Sequence, residues 1–183
     1  YNNHLGAMPV SYFGFDPSVT KEEAVERLEN YSTGDTRITE VSRAFRIELD
    51  TGWYTPAGVV HAPGSLCTYE PQWNSDAMAI WENVVNGEVF HDDDLRAYIP
   101  EDEKADLKNI FKTADWELNT AVDYRERFFH RPQNEFENEN CSQDWIVYGN
   151  DYVGAKELTV YPGKTAIVTD PCAYGCLVLT GHG

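Results

Sequence analysis

The chain has 183 residues, 42% of them hydrophobic and 13% aromatic, which is enough to bury a full core in one domain or slightly more. Acidic residues outnumber basic ones by 31 to 14, which gives a net charge of −17 at pH 7. Because nucleic acids and anionic lipid surfaces are bound by clustered lysine and arginine, this charge argues against both as partners.

The first 50 residues predict a strand, a helix and a second short amphipathic segment. The stretch MPVSYFGF is rich in aromatic and β-branched residues and predicts a strand, which Asp16-Pro17 ends. Thr20 and Glu23 form a capping box that predicts a helix over KEEAVERLEN. After the loop STGDTR, the amphipathic piece ITEVSRAF leads into RIELD.

From Trp53 to Trp81 the sequence predicts short strands separated by turns. The apolar stretches are too short for helices and are interrupted by prolines and glycines, at Pro56, Gly58, Pro63, Gly64 and Pro71. This pattern is typical of a compact antiparallel β fold.

The middle of the chain changes character after a turn predicted at Asn86-Gly87. Asp92–Asp94 resemble a metal site, but carboxylates at a helix N-terminus offset its free N–H groups, and we favour that interpretation. Residues 101–119, EDEKADLKNIFKTADWELN, predict one amphipathic helix. The stretch RPQNEFENENCSQ predicts a polar loop.

Strands are predicted again from Trp145 onwards, with a turn at Pro162-Gly163 between two alternating strands. The chain therefore divides into a β section over residues 1–85, a helical and loop connector over residues 86–143, and the start of a second β section over residues 144–183.

The four cysteines, Cys67, Cys141, Cys172 and Cys176, lack the spacing of a zinc knuckle. The sequence CAYGC allows a disulfide or a metal pair, but we favour two separate buried thiols. Reduced cysteines, no visible signal peptide and no apolar run of membrane-spanning length favour the cytoplasm. The chain begins at Tyr1 and ends in an apolar run, so we expect a fragment of a longer polypeptide or a processed product.

The stretch PAGVVHA, with the strands around it and the YPGK hairpin, resembles the cupins, and more narrowly the type I phosphomannose isomerase family. That family has a Pro-x-Gly-x-x-His-Ala stretch, a small turn, Glu-x-Gln and then Ser-Asp. The matching positions are Pro56, Gly58, His61, Ala62, Gly64, Glu70, Gln72, Ser75 and Asp76. The similarity covers about residues 10 to 80.

The resemblance implies a mainly β fold, a double-stranded β-helix or cupin jelly roll, with helical insertions. The whole chain would be a bicupin. Residues 1–85 would be the last part of the first barrel, and residues 144–183 the start of the second. Because cupins often pair through exposed sheet edges or faces, the resemblance also implies a homodimer or association with the rest of the parent polypeptide.

The resemblance makes His61 a ligand of a divalent metal, with zinc as the first choice. A neutral imidazole held on a strand suits zinc and loses little entropy on binding. Glu70 and Gln72, two residues apart, would share a strand face as catalytic groups, and Trp53, Ser75 and Asp76 would bind substrate. The alternatives are an ordinary half-buried histidine and a structural Glu70–Gln72 pair. Trp53, Trp73 and Trp81 could each stack on a sugar ring, but we expect at least two of them to pack in the core.

Two departures from the family pattern leave two functions open. The family's other ligands, a Gln-x-His pair and a Glu, lie upstream of the matching segment, where this chain has only Asn2-Asn3-His4, so further ligands would precede Tyr1. The arginine that follows Ser-Asp in the family is absent from AMAIWENVV.

The first predicted function is a metal-dependent isomerase that interconverts aldose and ketose forms of a sugar or sugar phosphate. The alternative is a non-catalytic carbohydrate-binding or regulatory cupin that has lost the catalytic arginine. An unphosphorylated sugar suits so acidic a chain better than a sugar phosphate. A cupin with oxygenase or epimerase chemistry would need a different ligand set upstream.

Overall fold

A computed structural model describes residues 9–65, 68–73 and 77–181, and the fold there is mainly β, with small antiparallel sheets and few helices. The strands are β1 Val10–Phe15, β2 Ser42–Arg46, β3 Gly52–Trp53, β4 His61–Pro63, β5 Val84–Val85, β6 Glu88–Val89, β7 Phe129–His130, β8 Gln133–Glu137, β9 Cys141–Val147 and β10 Ala155–Val160. The α-helices are α1 Lys21–Leu28, α2 Asp92–Leu95, α3 Trp116–Asn119 and α4 Tyr124–Phe128. Two 3-10 helices span Ile38–Val41 and Leu107–Lys112.

The strands pair only in antiparallel fashion within the described ranges. One sheet has the order β2-β1-β4, a second has the order β10-β9-β8, and the pairs β3-β7 and β5-β6 form two smaller sheets. In the first sheet Tyr12 lies opposite Ala44 on one side and opposite Ala62 on the other. The central strand β1 is therefore paired directly with β4, which carries His61 of the predicted PAGVVHA motif.

Helix α1 begins as its sequence predicts. The hydroxyl of Thr20 accepts a hydrogen bond from the backbone N–H of Glu23, which satisfies one of the free donors of the first turn. The apolar face of α1 is buried in the larger of two cores, whose buried members include Phe15, Leu28, Tyr31, Ile38, Trp81, Leu95, Ile99, Leu107 and Ile110. The predicted strand β1 and the predicted turn at Asn86-Gly87 are likewise present, and Asp92–Asp94 form the first turn of α2, as the prediction of a helix N-terminus requires.

The single helix predicted over residues 101–119 is wrong. The structure has the 3-10 helix Leu107–Lys112 and the separate helix α3. Asp106 accepts a hydrogen bond from the backbone N–H of Lys108, and Asp115 accepts one from that of Leu118. Each aspartate therefore caps its own short helix, because its side chain competes with the continuous helical hydrogen-bond pattern.

Two predictions in the last third of the chain also differ from the structure. The polar stretch predicted as a loop forms β8 and the start of β9. Four of the five residues of β8 are exposed, so this edge strand lacks the alternation of buried and exposed residues by which strands are predicted. The turn at Gly163 is present, with φ of +72°, but the residues that follow it up to residue 181 form no strand. Cys172 and Cys176 are free and exposed there, not buried as predicted, whereas Cys141 is buried.

Within residues 9–65, 68–73 and 77–181, no helix has the length and apolar character needed to cross a membrane.

Candidate functional site

The turn that introduces His61 is fastened to helix α3 by one buried side chain. The Asn119 Oδ1 accepts a hydrogen bond of 2.8 Å from the backbone N–H of Val60, and its Nδ2 donates one of 2.7 Å to the carbonyl of Gly58. The same carbonyl accepts from the backbone N–H of Asp115 at 2.9 Å. The start of β4, the strand that carries His61, is therefore fixed by Asn119, which lies 59 residues after Val60 and 61 residues after Gly58 in the chain.

His61 lies on β4 opposite Phe13 of β1, so both side chains are on the same face of the sheet. The two ring centroids are 6.5 Å apart, with an angle of 17° between the ring planes. The Nδ1 of His61 is 3.0 Å from the carbonyl oxygen of Val59, which assigns the proton to Nδ1 and leaves the Nε2 lone pair available. His61 is exposed, so it is not a histidine packed in the core.

Trp53 belongs to the second, smaller core. Its ring is stacked on Phe13 at 4.7 Å and on Tyr124 at 6.3 Å, and it also contacts Phe45 and Phe129. Its indole nitrogen is buried and has no hydrogen-bond partner among the described residues. These contacts favour the core-packing interpretation of Trp53 over stacking on a substrate.

The predicted catalytic pair lies in an exposed segment. Glu70 and Gln72 belong to residues 68–73, which form no strand, so the structure does not place them on a shared strand face. The Thr68 hydroxyl donates a hydrogen bond of 2.7 Å to the carboxylate of Glu70. The predicted substrate-binding residues Ser75 and Asp76 lie outside the described residues, as does His4.

A zinc site built on His61 would need further ligands close to it. No group of three or more His, Cys, Asp or Glu side chains among the described residues is placed to hold a metal ion. His61 supplies one suitable nitrogen, but the described residues alone do not fit a zinc centre built on it.

A second feature of the surface is a pair of exposed aromatic rings, Trp73 and Tyr152, which we call the aromatic platform. The ring centroids are 6.0 Å apart and the planes are nearly perpendicular, at 77°. Trp73 is 63% exposed and Tyr152 is 61% exposed. Two large exposed rings in mutual contact form a small continuous apolar surface, which makes them a candidate binding surface.

The loop that carries Tyr152 is held in one conformation by its own hydrogen bonds. The Asn150 Oδ1 accepts from the backbone N–H groups of Tyr152 at 3.0 Å and Val153 at 2.9 Å, and its Nδ2 donates to the Val153 carbonyl at 2.9 Å. Gly149 enters the loop with φ of +70°, a conformation that favours glycine. The Tyr152 ring is therefore presented by a preformed loop.

Polar groups lie beside the aromatic platform. Burial, and next the neighbouring Tyr152 and Asp151, raise the pKa of Tyr54, so the Tyr54 hydroxyl keeps its proton at neutral pH. Asp151 is exposed and precedes Tyr152 in the loop. The region thus offers two ring surfaces, a hydroxyl donor and a carboxylate acceptor.

Sequence reasoning named Trp73 as a ring able to stack on a sugar but did not identify Tyr152. The available signal was the stretch GNDYVG, in which a tyrosine follows turn-forming residues. The contact itself joins residues far apart in the chain, and local sequence carries no information about it.

A scan of protein-family models finds no match to this chain, and searches of curated proteins and of solved structures find no similar protein.

Proposed function

We propose that this protein binds carbohydrate without transforming it, through the aromatic platform. The observation that supports this proposal is the contact between two exposed rings, one of which stands on a preformed loop. The apolar C–H face of a sugar stacks on aromatic rings, while its hydroxyls need hydrogen-bond donors and acceptors at the side. Asp151, next to Tyr152 in the loop, would supply an acceptor, and Tyr54, whose pKa is raised by burial and then by Tyr152 and Asp151, would supply a donor.

The ligand is an unphosphorylated sugar. Asp151 adds negative charge beside the platform, and the whole chain carries −17. A phosphate group would be repelled by both, whereas a neutral hexose or oligosaccharide would not.

The proposal includes a cupin-type jelly roll as the fold. It is supported by the antiparallel order β2-β1-β4 and by the clamped Pro56–Gly58 turn that leads into β4. A crystal structure with two facing sheets closed into a barrel would bear this out, and any other sheet arrangement would remove the cupin part of the proposal while leaving carbohydrate binding open.

The test is a titration with neutral hexoses and short oligosaccharides, followed by tryptophan fluorescence and calorimetry. We expect Trp73→Ala and Tyr152→Ala each to weaken binding by about five- to tenfold, because each removes one stacking surface worth about 1 to 1.4 kcal/mol. Tyr174→Ala is the matched control, since Tyr174 is 69% exposed and belongs to a different segment. Loss of binding in the control as well, or no binding of any neutral sugar by the parent, contradicts the proposal.

A second candidate is a metal-dependent aldose–ketose isomerase of the phosphomannose isomerase type, with His61 as a ligand and Glu70 as the proton-moving group. The observation that favours it is the hydrogen bond from His61 Nδ1 to the Val59 carbonyl, the arrangement that orients a metal-binding imidazole. Residues outside the described ranges would supply further ligands. The zinc ion, the homodimer and the cytoplasmic location belong to this candidate as predictions.

Elemental analysis separates the two candidates. Stoichiometric zinc in the purified parent, lost in His61→Ala prepared identically, would support the isomerase and justify an activity screen with sugars and sugar phosphates. A folded parent without metal would leave carbohydrate binding as the better account.

A further inference from the structure

A cleft separate from the aromatic platform lies between the first turn of α1 and the 3-10 helix Leu107–Lys112. It has a volume of about 220 Å³ and is lined by Lys21, Glu22, Val25, Lys108 and Phe111. We call it the lysine cleft. Its size suits a ligand of fragment dimensions rather than an oligosaccharide.

Neither lysine of this cleft forms an ion pair with a carboxylate among the described residues. Lys104, Lys112 and Lys156 each form an ion pair with a carboxylate, whereas among the described residues neither Lys21 nor Lys108 has a carboxylate within ion-pairing distance. The chain as a whole carries a net charge of −17, so a cleft with two ammonium groups that form no ion pair differs in charge from the rest of the molecule.

The position of one ammonium group is fixed by aromatic rings. The Nζ of Lys21 lies 5.3 Å from the ring centroid of Phe111 and 6.0 Å from that of Trp116. These cation–π contacts hold the charge beside the wall of the cleft without neutralising it. The ammonium group therefore keeps its hydrogen-bond donors for a ligand.

The rest of the lining is mainly apolar. Val25 is buried, with 8% of its surface exposed, and Phe111 is half-buried, so both contribute apolar surface to the cleft. The carboxylate of Glu22 also lines the cleft and offsets one of the two positive charges. The formal charge of the lining is therefore +1, which matches a single negative charge on a ligand.

We infer that the lysine cleft binds a small organic monoanion, a carboxylate attached to a flat apolar body. The carboxylate would accept hydrogen bonds from Lys21 and Lys108, and the apolar body would lie against Val25 and Phe111. This inference does not depend on the proposed carbohydrate binding, because the two sites share no residue.

The test uses benzoate as the probe and benzamide as its neutral analogue, in a titration followed by amide chemical shifts of the labelled protein. We expect benzoate to shift the amides of residues 21–25 and 108–111 and benzamide to leave them nearly unchanged. Lys21→Gln and Lys108→Gln should each weaken benzoate binding by about tenfold, since each removes a charged hydrogen-bond donor. Lys164→Gln, an exposed lysine also without an ion pair in the described ranges, is the matched control and should bind as the parent does.

Glu22→Gln should have the opposite effect on benzoate affinity from the lysine substitutions, because it removes the one carboxylate of the cleft. We expect it to tighten benzoate binding by a few fold. The inference is overturned if benzamide binds as well as benzoate, if Glu22→Gln has no effect, or if benzoate shifts no amide of the cleft. Circular dichroism of each variant identifies any that fails to fold, and the exposed positions 21, 22 and 108 leave the core intact.

Discussion

Two buried asparagines organise the loops of this protein. Asn83 accepts a hydrogen bond from the backbone N–H of Thr36 and donates to the carbonyls of Tyr31 and Gly34, which ties the loop after α1 to the segment before β5. Asn119 does the same for the turn before β4. Both side chains are completely buried, and their hydrogen bonds offset the cost of removing their polar atoms from water.

His130 is a third residue that joins two segments of the chain, through its contacts with Tyr148. Its Nδ1 accepts a hydrogen bond of 3.2 Å from the backbone N–H of Tyr148, and its ring stacks on that of Tyr148 at 4.5 Å. Burial lowers the pKa of His130 from its ordinary value of 6.5. Protonation at Nδ1 would remove the acceptor and set two donors against each other.

We expect the stability of the protein to fall as the pH is lowered below about 6.5. Above that pH His130 is neutral in both the folded and the unfolded protein, so its hydrogen bond to Tyr148 contributes fully to the stability of the folded state. Below it the unfolded chain binds a proton before the folded chain does, so unfolding is favoured until the lower folded pKa is passed. The melting temperature measured between pH 7.5 and pH 5.5 checks this expectation.

His130→Gln should show a smaller decrease in melting temperature over the same interval, because it removes the titrating group. His91→Gln, at an exposed position, should keep the parent's decrease. An unchanged pH dependence in His130→Gln would show that other groups cause it.

At the scale of secondary-structure elements, tertiary contacts decide where the short helices and strands end. The Gly58 carbonyl accepts the backbone N–H of Asp115, so α3 begins where the turn before β4 is docked. Gly58 has φ of +81°, and a Cβ atom placed there would lie 2.8 Å from the backbone nitrogen of Asp115. Both the conformation and the close approach therefore require glycine at this position.

Gly58→Ala should lower the free energy of unfolding by about 1–3 kcal/mol, because alanine is strained in the left-handed region and its Cβ meets backbone rather than a flexible side chain. Urea denaturation followed by circular dichroism measures the change. Any proposed ligand binding at His61 should weaken in the same variant, since the turn orients β4.

Gly34→Ala is the control for this substitution. Gly34 has no atom within 4 Å of an added Cβ, and its φ is outside the left-handed region. Alanine there should change stability by less than about 1 kcal/mol, towards greater stability. Equal losses in the two variants would mean that the docked turn has no special requirement for glycine.

At the scale of the whole molecule, the dominant property is the excess of negative charge. A net charge of −17 on one chain produces repulsion that opposes the compact state. Salt screens such repulsion over a Debye length of about 10 Å at 0.1 M. The few ion pairs on the surface contribute little in compensation.

We expect added sodium chloride to raise the melting temperature, with most of the rise complete by about 0.2 M, where the Debye length is already shorter than about 8 Å. Differential scanning calorimetry at a series of salt concentrations measures it. A rise that begins only near 1 M would indicate exclusion of salt from the protein surface instead of charge screening.

Several local features of the fold follow from the sequence because their causes lie within a few residues. Thr20 and Glu23 open α1, and Asn86 and Gly87 form the hairpin turn with positive φ at both residues. Aromatic and β-branched residues form β1. Of the candidate site, the sequence predicted the strand that carries His61 and named Trp73, together with Trp53 and Trp81, only as a candidate for stacking on a sugar.

Other features could not be predicted because they depend on contacts and exposure that are set by residues distant in the sequence. The break in the helix over residues 101–119 occurs where Asp106 and Asp115 cap separate short helices, and the backbone N–H of Asp115 is bonded to the Gly58 carbonyl of the docked turn. β8 is a polar edge strand, and the exposed residues of such a strand resemble a loop.

The sequence by itself determined the charge of the molecule, its mainly β character and its local turns and caps, since composition and short-range hydrogen bonds are enough for these. Only the tertiary structure decided that Trp53 packs in a core while Trp73 meets Tyr152 at the surface, and that Lys21 and Lys108 share a cleft. The physical reason is that burial and side-chain contacts between distant residues depend on how the elements pack, which the local sequence pattern does not specify.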